Sequence, residues 1–163
     1  MQLVSRPPSQ CTSDELDEFA ELVRAGGEVA PEGLIERIRQ AHSLTFLRNE
    51  HDLVGIAALK HPNANYRARV FKQAQIELKP DEYPLELGWV YVSPAGRGGR
   101  LSHRLVQAAV IIASKSRIFA TSRVDNHAMH KSLLAASFAR QGKEYLSTRG
   151  SHTLTVFTHE IQG

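Results

Sequence analysis

The sequence predicts an α/β or α+β protein with a mixed sheet, forming one domain over residues 1–163. Three observations predict it. Stretches of helical periodicity alternate with apolar runs of strand length along most of the chain. Some of those runs come in pairs divided by a short polar or Gly-bearing turn, as in antiparallel hairpins. Finally, the strand-like LELGWVY, the Gly-rich SPAGRGG and the helix-like LSHRLVQAAVIIA follow one another directly.

Each element has its own signal. RPPSQ reads as a lead-in loop. Thr12 followed by Glu15 has capping-box spacing, and Leu16, Phe19, Ala20 and Val23 then recur at helical intervals until Gly26 and Gly27. Pro31 suits the first turn of a second helix with Leu34, Ile35, Ile38 and Ala41 on its apolar face. LTFLR and LVGIAAL enclose the polar NEHD as a hairpin. Residues 61–84 admit two readings. Tyr66, Val70 and Phe71 have helical spacing, which favours a helix, whereas VFKQAQIEL alternates as a strand would. LELGWVYV, bounded by Pro84 and Pro94, is a strand. A helix follows from Leu101, with Leu105, Ala108, Ala109 and Ile112 on one face and Val106, Val110 and Ile111 widening it. RIFATSRV is a strand, and NHAMHKSLLAASF a helix with Met129, Leu133 and Ala136 on one side. KEYLS and HTLTVFTHE close the chain as an antiparallel pair around Arg149 and Gly150.

Composition narrows the class. The chain has 20 Lys and Arg against 17 Asp and Glu, a lean towards anionic partners too slight to indicate nucleic acid. A single cysteine, Cys11, excludes an internal disulfide and suits a reducing compartment. No apolar run approaches the roughly 20 residues that span a bilayer. MQLVSRPPSQ lacks the apolar stretch of a signal peptide, so the expected location is the cytoplasm, with no membrane partner.

VSPAGRGGRL carries the first chemical signal. Taken alone it is either a connector or an anion site. Its position before a helix favours the second, because first-turn amides have no partners within the helix and the dipole favours negative charge there. Gly98 and Gly99 allow the backbone close to a ligand. Arg97, Arg100 and Arg104 cluster at the same end, and their planar forks suit phosphate. The stretch matches neither GxxxxGK[ST] nor GxGxxG.

The segment resembles the acyl-CoA-binding motif of the GNAT superfamily of N-acetyltransferases, V-x-P-x-x-R-G-x-G-x-G/A. Val92, Pro94, Arg97 and Gly98 match, while Arg100 and Ser102 occupy the later glycine positions. DNHAMHKSLLAASF resembles the family's later motif, N-x-A-x-x-x-x-L-x-x-x-G-F. Asn126, Ala128, Leu133 and Phe138 match, and Ser137 replaces the glycine. The resemblance implies a mainly antiparallel central sheet with splayed middle strands, flanked by helices. It also implies acetyl-CoA, or another acyl-CoA, as donor and an amine-bearing small molecule or protein as acceptor, with no metal.

By register the resemblance places the pantetheine arm against the backbone of Val90 and Val92. It places the pyrophosphate on the amides of Arg97, Gly98, Gly99, Arg100, Leu101 and Ser102, and gives Asn126 a further cofactor contact. The Val90 N–H is then the oxyanion donor and Glu86 the general base, the alternative for Glu86 being a strand residue in an ion pair. The tyrosine that many members use as general acid is Leu133 here. His130, Ser132, Tyr83, Tyr91 and Tyr145 are the candidates to replace it. Strict alternation puts Tyr91 on the face opposite Glu86, Val90 and Val92.

Other constellations are weaker. His127 and His130 are three apart with no carboxylate or cysteine cluster beside them, which does not make a zinc site. No G-x-S-x-G elbow is present. Two functions follow: an N-acyltransferase, or a CoA-binding module of the same fold with little transfer. The acceptor is not encoded in any motif, and monomer and homodimer stay open.

Overall fold

The structure is a computed structural model that describes residues 1–27, 30–98 and 100–160. Seven strands form one sheet: β1 (Gln2–Arg6), β2 (Ser43–Arg48), β3 (Leu53–Lys60), β4 (Leu85–Val92), β5 (Ile118–Arg123), β6 (Ala139–Leu146) and β7 (Thr153–His159). Its order is β1-β2-β3-β4-β5-β7-β6, and only β4 and β5 run parallel. Five helices flank it: α1 (Ser13–Ala25), α2 (Leu34–Arg39), α3 (Ala64–Gln73), α4 (Leu101–Ala113) and α5 (His127–Ala135).

Alternation along the strands divides the core between two faces. Leu47, Ala57, Leu59, Leu87, Ala120 and Phe157 pack with α4 and α5. Leu44, Phe46, Ile56 and Ala58 pack on the other face with α1 and α2, and Phe119 and Val156 pack there with α3. Phe19 of α1 stands edge-on to Phe46 and to Trp89, at ring-centroid distances of 5.5 and 6.1 Å. Burying a side chain of this size stabilises the fold by about 1.5–3 kcal/mol, which anchors α1 to the sheet.

Local chemistry explains the helix starts. Thr12 Oγ1 accepts from the Glu15 N–H at 3.1 Å, and the Glu15 carboxylate accepts from the Thr12 N–H at 2.9 Å, the capping box that the sequence predicts. Within residues 61–84 the helical reading holds for Ala64–Gln73: the Asn63 side chain caps α3 by accepting from the N–H groups of Asn65 and Tyr66.

Several expectations need correction. QLVSR forms an edge strand, β1; only Leu3 and Val4 are apolar in it, so its alternation was too faint to read. The second helix starts at Leu34 behind a left-handed Gly33, not at Pro31. On α4 the buried stripe ends at Ala113, leaving Ile111 75% and Ile112 38% exposed. KEYLS is only the end of the longer β6, which bends where Gly142 adopts φ +67°.

Candidate active site

The site forms where β4 and β5 part. They share only the pairs Leu85 with Ile118 and Glu86 with Phe119. Beyond Glu86 the β5-facing edge of β4 has no strand beside it among the described residues, and an open cleft of about 1310 Å³ lies along it.

A bulge reshapes that edge. Ile56 pairs with Tyr91 and Ala58 with Gly88, so Trp89 and Val90 together oppose the single residue Ala57. Trp89 takes φ +51°, a strained value for a bulky residue. The bulge overturns the strict alternation assumed from sequence. Trp89 and Tyr91 pack towards the α1–α2 core, whereas Val90 and Val92 pack towards α4. Tyr91 therefore shares the face of Glu86, and Val90 and Val92 take the other. Their backbone is still well directed. The Ser93 N–H donates to Val54 O at 2.8 Å, towards β3, so alternation turns the N–H groups of Val92 and Val90 to the open edge.

Glu86 is 5% exposed. Tyr66, three residues into α3, donates its hydroxyl to Glu86 Oε2 at 2.8 Å, and Lys60 Nζ lies 3.9 Å from Oε1. The same ammonium sits 4.5 Å from the centre of the Trp89 ring. Burial raises the Glu86 pKa above the ordinary carboxylate range, and the Lys60 charge and the Tyr66 hydrogen bond pull it back down. The Tyr66 phenol is raised by burial and by the Glu86 charge, so it stays protonated as a donor. Sequence reasoning missed Lys60 and Tyr66. Lys60 faces Glu86 across the β3–β4 pair, a relation that becomes visible only once the register of the strands is known.

The Gly-rich turn is described on either side of Gly99. Gly98 has φ +99°, with nothing within 4 Å of where a Cβ would stand. Arg100 precedes α4 in the left-handed conformation, φ +56°, although it is not glycine. Among the described residues no side-chain hydrogen bond caps the first turn of α4. Arg97 folds back so that its Nε donates to Val92 O at 3.4 Å. Leu101 is buried in the α4–α5 core, and Ser102 Oγ lies 2.8 Å from Ser132 Oγ, joining α4 to α5. Gly99 lies outside the described residues. Asn126 lines the cleft while its Oδ1 accepts from the Met129 N–H at 3.2 Å, capping α5.

The acid candidates separate. Tyr83 gives its hydroxyl to Glu160, His130 Nε2 lies 2.9 Å from Arg123 O, and Ser132 is engaged by Ser102. Tyr91 and Tyr145 line the cleft, as does the aliphatic Leu133. The Tyr145 hydroxyl is buried without a hydrogen-bond partner among the described residues, and burial with the Glu86 charge pushes its pKa up to about 12.

Comparison with known proteins gives these features a context. Residues 10–135 match the model of the acetyltransferase (GNAT) family. No curated protein matches the chain significantly. Among solved structures, an acyl-CoA N-acyltransferase from Pseudomonas aeruginosa superposes with a TM-score of 0.71 at 13% identity, covering 97% of this chain and 98% of that one. Escherichia coli ElaA gives 0.72 at 14% identity, covering 98% and 100%. NAA60 of Arabidopsis thaliana, in complex with acetyl-CoA, gives 0.68 at 12% identity, covering 98% and 100%. At these identities the likeness is one of fold.

Proposed function

This chain belongs to the acetyltransferase (GNAT) family, and on that premise we propose that it transfers an acetyl or other short acyl group from acyl-CoA to a primary amine, by direct attack in a ternary complex. The observation that carries this reading is the open, bulged edge of β4 beside a buried carboxylate, Glu86. The acetyl-CoA complex of the plant protein of the same fold supports the choice of donor.

The residues fit that donor. Gly98 and Arg100 hold the turn in left-handed conformations, leaving the uncapped first-turn amides of α4, through Leu101 and Ser102, to receive a pyrophosphate. Arg97 and Arg100 add charge at the same end. The open N–H edge at Val90 and Val92 suits the amides of a pantetheine arm, and Asn126 stands at the cleft wall to meet it. When bound, acetyl-CoA supplies an electrophilic thioester carbonyl and a thiolate leaving group.

The chain's own groups then divide the work. Glu86 accepts the proton of the attacking amine; its raised pKa makes it a stronger base, and Lys60 and Tyr66 pull that pKa back down in favour of the ionised form. The Val90 N–H donates to the oxygen on which negative charge develops, a task suited to a fixed amide away from bulk water.

The test is thiol release from acetyl-CoA over a panel of primary amines, with acetyl-CoA binding measured by calorimetry in parallel. Amine-dependent thiol release supports transfer. Binding without release from any amine would leave a CoA-binding module.

A further inference from the structure

The charge of the cleft points to the kind of amine. Among the described residues the cleft is lined by five Arg or Lys side chains and one carboxylate, Glu86. Over the whole chain the ratio is 20 to 17. The cleft lining is therefore richer in positive charge than the chain as a whole. The arginines of the α4 turn, Arg97, Arg100 and Arg104, are not among its lining and cannot account for it.

Three of the five are already engaged. Arg37 donates to the backbone carbonyls of Ala30 and Glu32, Lys60 faces Glu86, and Arg123 has an interaction of its own. Arg69 and Arg149 are different. Arg69 lies one helical turn after Tyr66, with its guanidinium 5.7 Å from the centre of the Tyr66 ring, so it stands beside the residue that reaches Glu86. It is exposed and makes no ion pair among the described residues. Arg149 projects from the turn between β6 and β7, also exposed and without an ion pair among the described residues. The charge of Arg69 is felt at the Tyr145 phenol, whose pKa it lowers against the effect of burial, so Arg69 acts into the cleft and not away from it.

We infer that the acceptor is an amine carrying an acid group, a carboxylate or a phosphate, with the amine directed to Glu86 and the acid received by Arg69 and Arg149. The inference rests on the transferase reading and adds the acceptor's class to it. The planar guanidinium fork pairs with either acid in a bidentate manner, whereas the same exposed guanidinium charges repel a polyamine or a lysine-rich tail. Charge of one sign in a recessed cleft also raises the local concentration of the opposite sign.

The experiment uses the full chain, acetyl-CoA and amines paired by carbon skeleton. The carboxylate arm sets phenylalanine and methionine against their decarboxylated amines. The phosphate arm sets phosphoethanolamine against ethanolamine, and spermidine serves as the polycation. At least one acid-bearing amine should exceed its partner about tenfold or more in kcat/KM, a preference typical of a charge-assisted pair. Which arm shows the gap identifies the acid. Arg69→Gln and Arg149→Gln should each shrink that ratio, acting mainly through KM for the acid-bearing member. Turnover of spermidine or the acid-free amines at equal or higher kcat/KM overturns the inference and leaves transfer standing. So does a gap that neither substitution alters. If no amine releases thiol, the transferase reading fails, and binding decides the subsite by itself. N-acetylphenylalanine binding more tightly than N-acetylphenethylamine, with the difference lost in Arg69→Gln, supports it; equal binding overturns it.

Discussion

The Tyr66 hydroxyl and the Glu86 carboxylate meet at 2.8 Å, tying the first turn of α3 to the point where β4 leaves β5. The relationship gives the protein a carboxylate that is buried, raised in pKa and yet supported in its ionised form by a hydroxyl and an ammonium.

Glu86→Gln keeps the shape and removes the charge. A general base contributes about 10²-fold or more to rate, so kcat should fall by that order while acetyl-CoA affinity stays close to its starting value. The wild-type rate should rise with pH through an acid limb above the ordinary carboxylate range. Tyr66→Phe and Lys60→Met remove the two influences that lower the Glu86 pKa, so each should shift that limb upward. Stability should move oppositely to rate. A carboxyl whose folded pKa is raised contributes most below its unfolded value and loses that contribution as pH rises through the folded one. Glu86→Gln should thus gain in Tm relative to wild type as pH increases across this window. A pH–rate profile and a melting series check both.

Gly98 stands at φ +99°, where an added Cβ meets no neighbour. The cost of Gly98→Ala is then purely one of backbone conformation, about 1–2 kcal/mol, and it falls on the turn that presents the amides. Acetyl-CoA affinity should weaken by about tenfold, and Arg97→Ala should weaken it as well, more at low salt than at high. Unaltered calorimetric affinity in both would remove the turn from the donor site.

Arg100 and Ser137 hold left-handed conformations, at φ +56° and +70°, at two of the positions where the family motifs place glycine. The backbone geometry has been kept and the strain accepted. Ser137→Gly lies away from the cleft lining and should relieve it. Removing about 1–2 kcal/mol of αL strain, less the added freedom of glycine in the unfolded chain, leaves a gain of about 0.5–1 kcal/mol, or a Tm rise of about 2 °C. Thermal unfolding measures it.

Local signals were legible in the sequence because they act over a few residues: the Thr12–Glu15 box, the hairpins, and the strand–turn–helix around Gly98. What the sequence hid was non-local. Trp89 is not a residue that announces a positive φ, and its conformation is held by packing against Phe19 and under the Lys60 ammonium. Without that bulge Tyr91 was assigned to the wrong face. Lys60 and Tyr66 join Glu86 from β3 and α3, so neither could be found without strand register and helix placement.

Gly142 joins β6 to the end of α3. The next residue, Lys143, donates its N–H to Ala74 O at 2.7 Å, and a Cβ on Gly142 would stand 2.1 Å from that same oxygen. Backbone has to yield, at a φ of +67° that already disfavours a side chain. Gly142→Ala should cost about 2 kcal/mol or more, lowering Tm by about 4–8 °C. Because the same contact registers β6, which carries Tyr145, against α3, which carries Tyr66, the variant should also lose kcat at temperatures where it remains folded.

Tyr145 separates stability from function. Its buried hydroxyl lacks a partner among the described residues, a state that costs about 1–3 kcal/mol. Tyr145→Phe removes the unsatisfied group and preserves the ring packed in the α3 core, so Tm should rise. On the transferase reading, a hydroxyl held at the cleft wall at such a cost is the candidate proton donor, in a site where Leu133 offers no proton. Tyr145→Phe should accordingly lower kcat, about tenfold for one proton-donating or orienting group, while acetyl-CoA affinity changes little. With its pKa near 12, Tyr145 stays protonated across the working range, so no alkaline limb below about pH 10 should trace to it. A variant more stable and equally active would return the thiolate's proton to solvent.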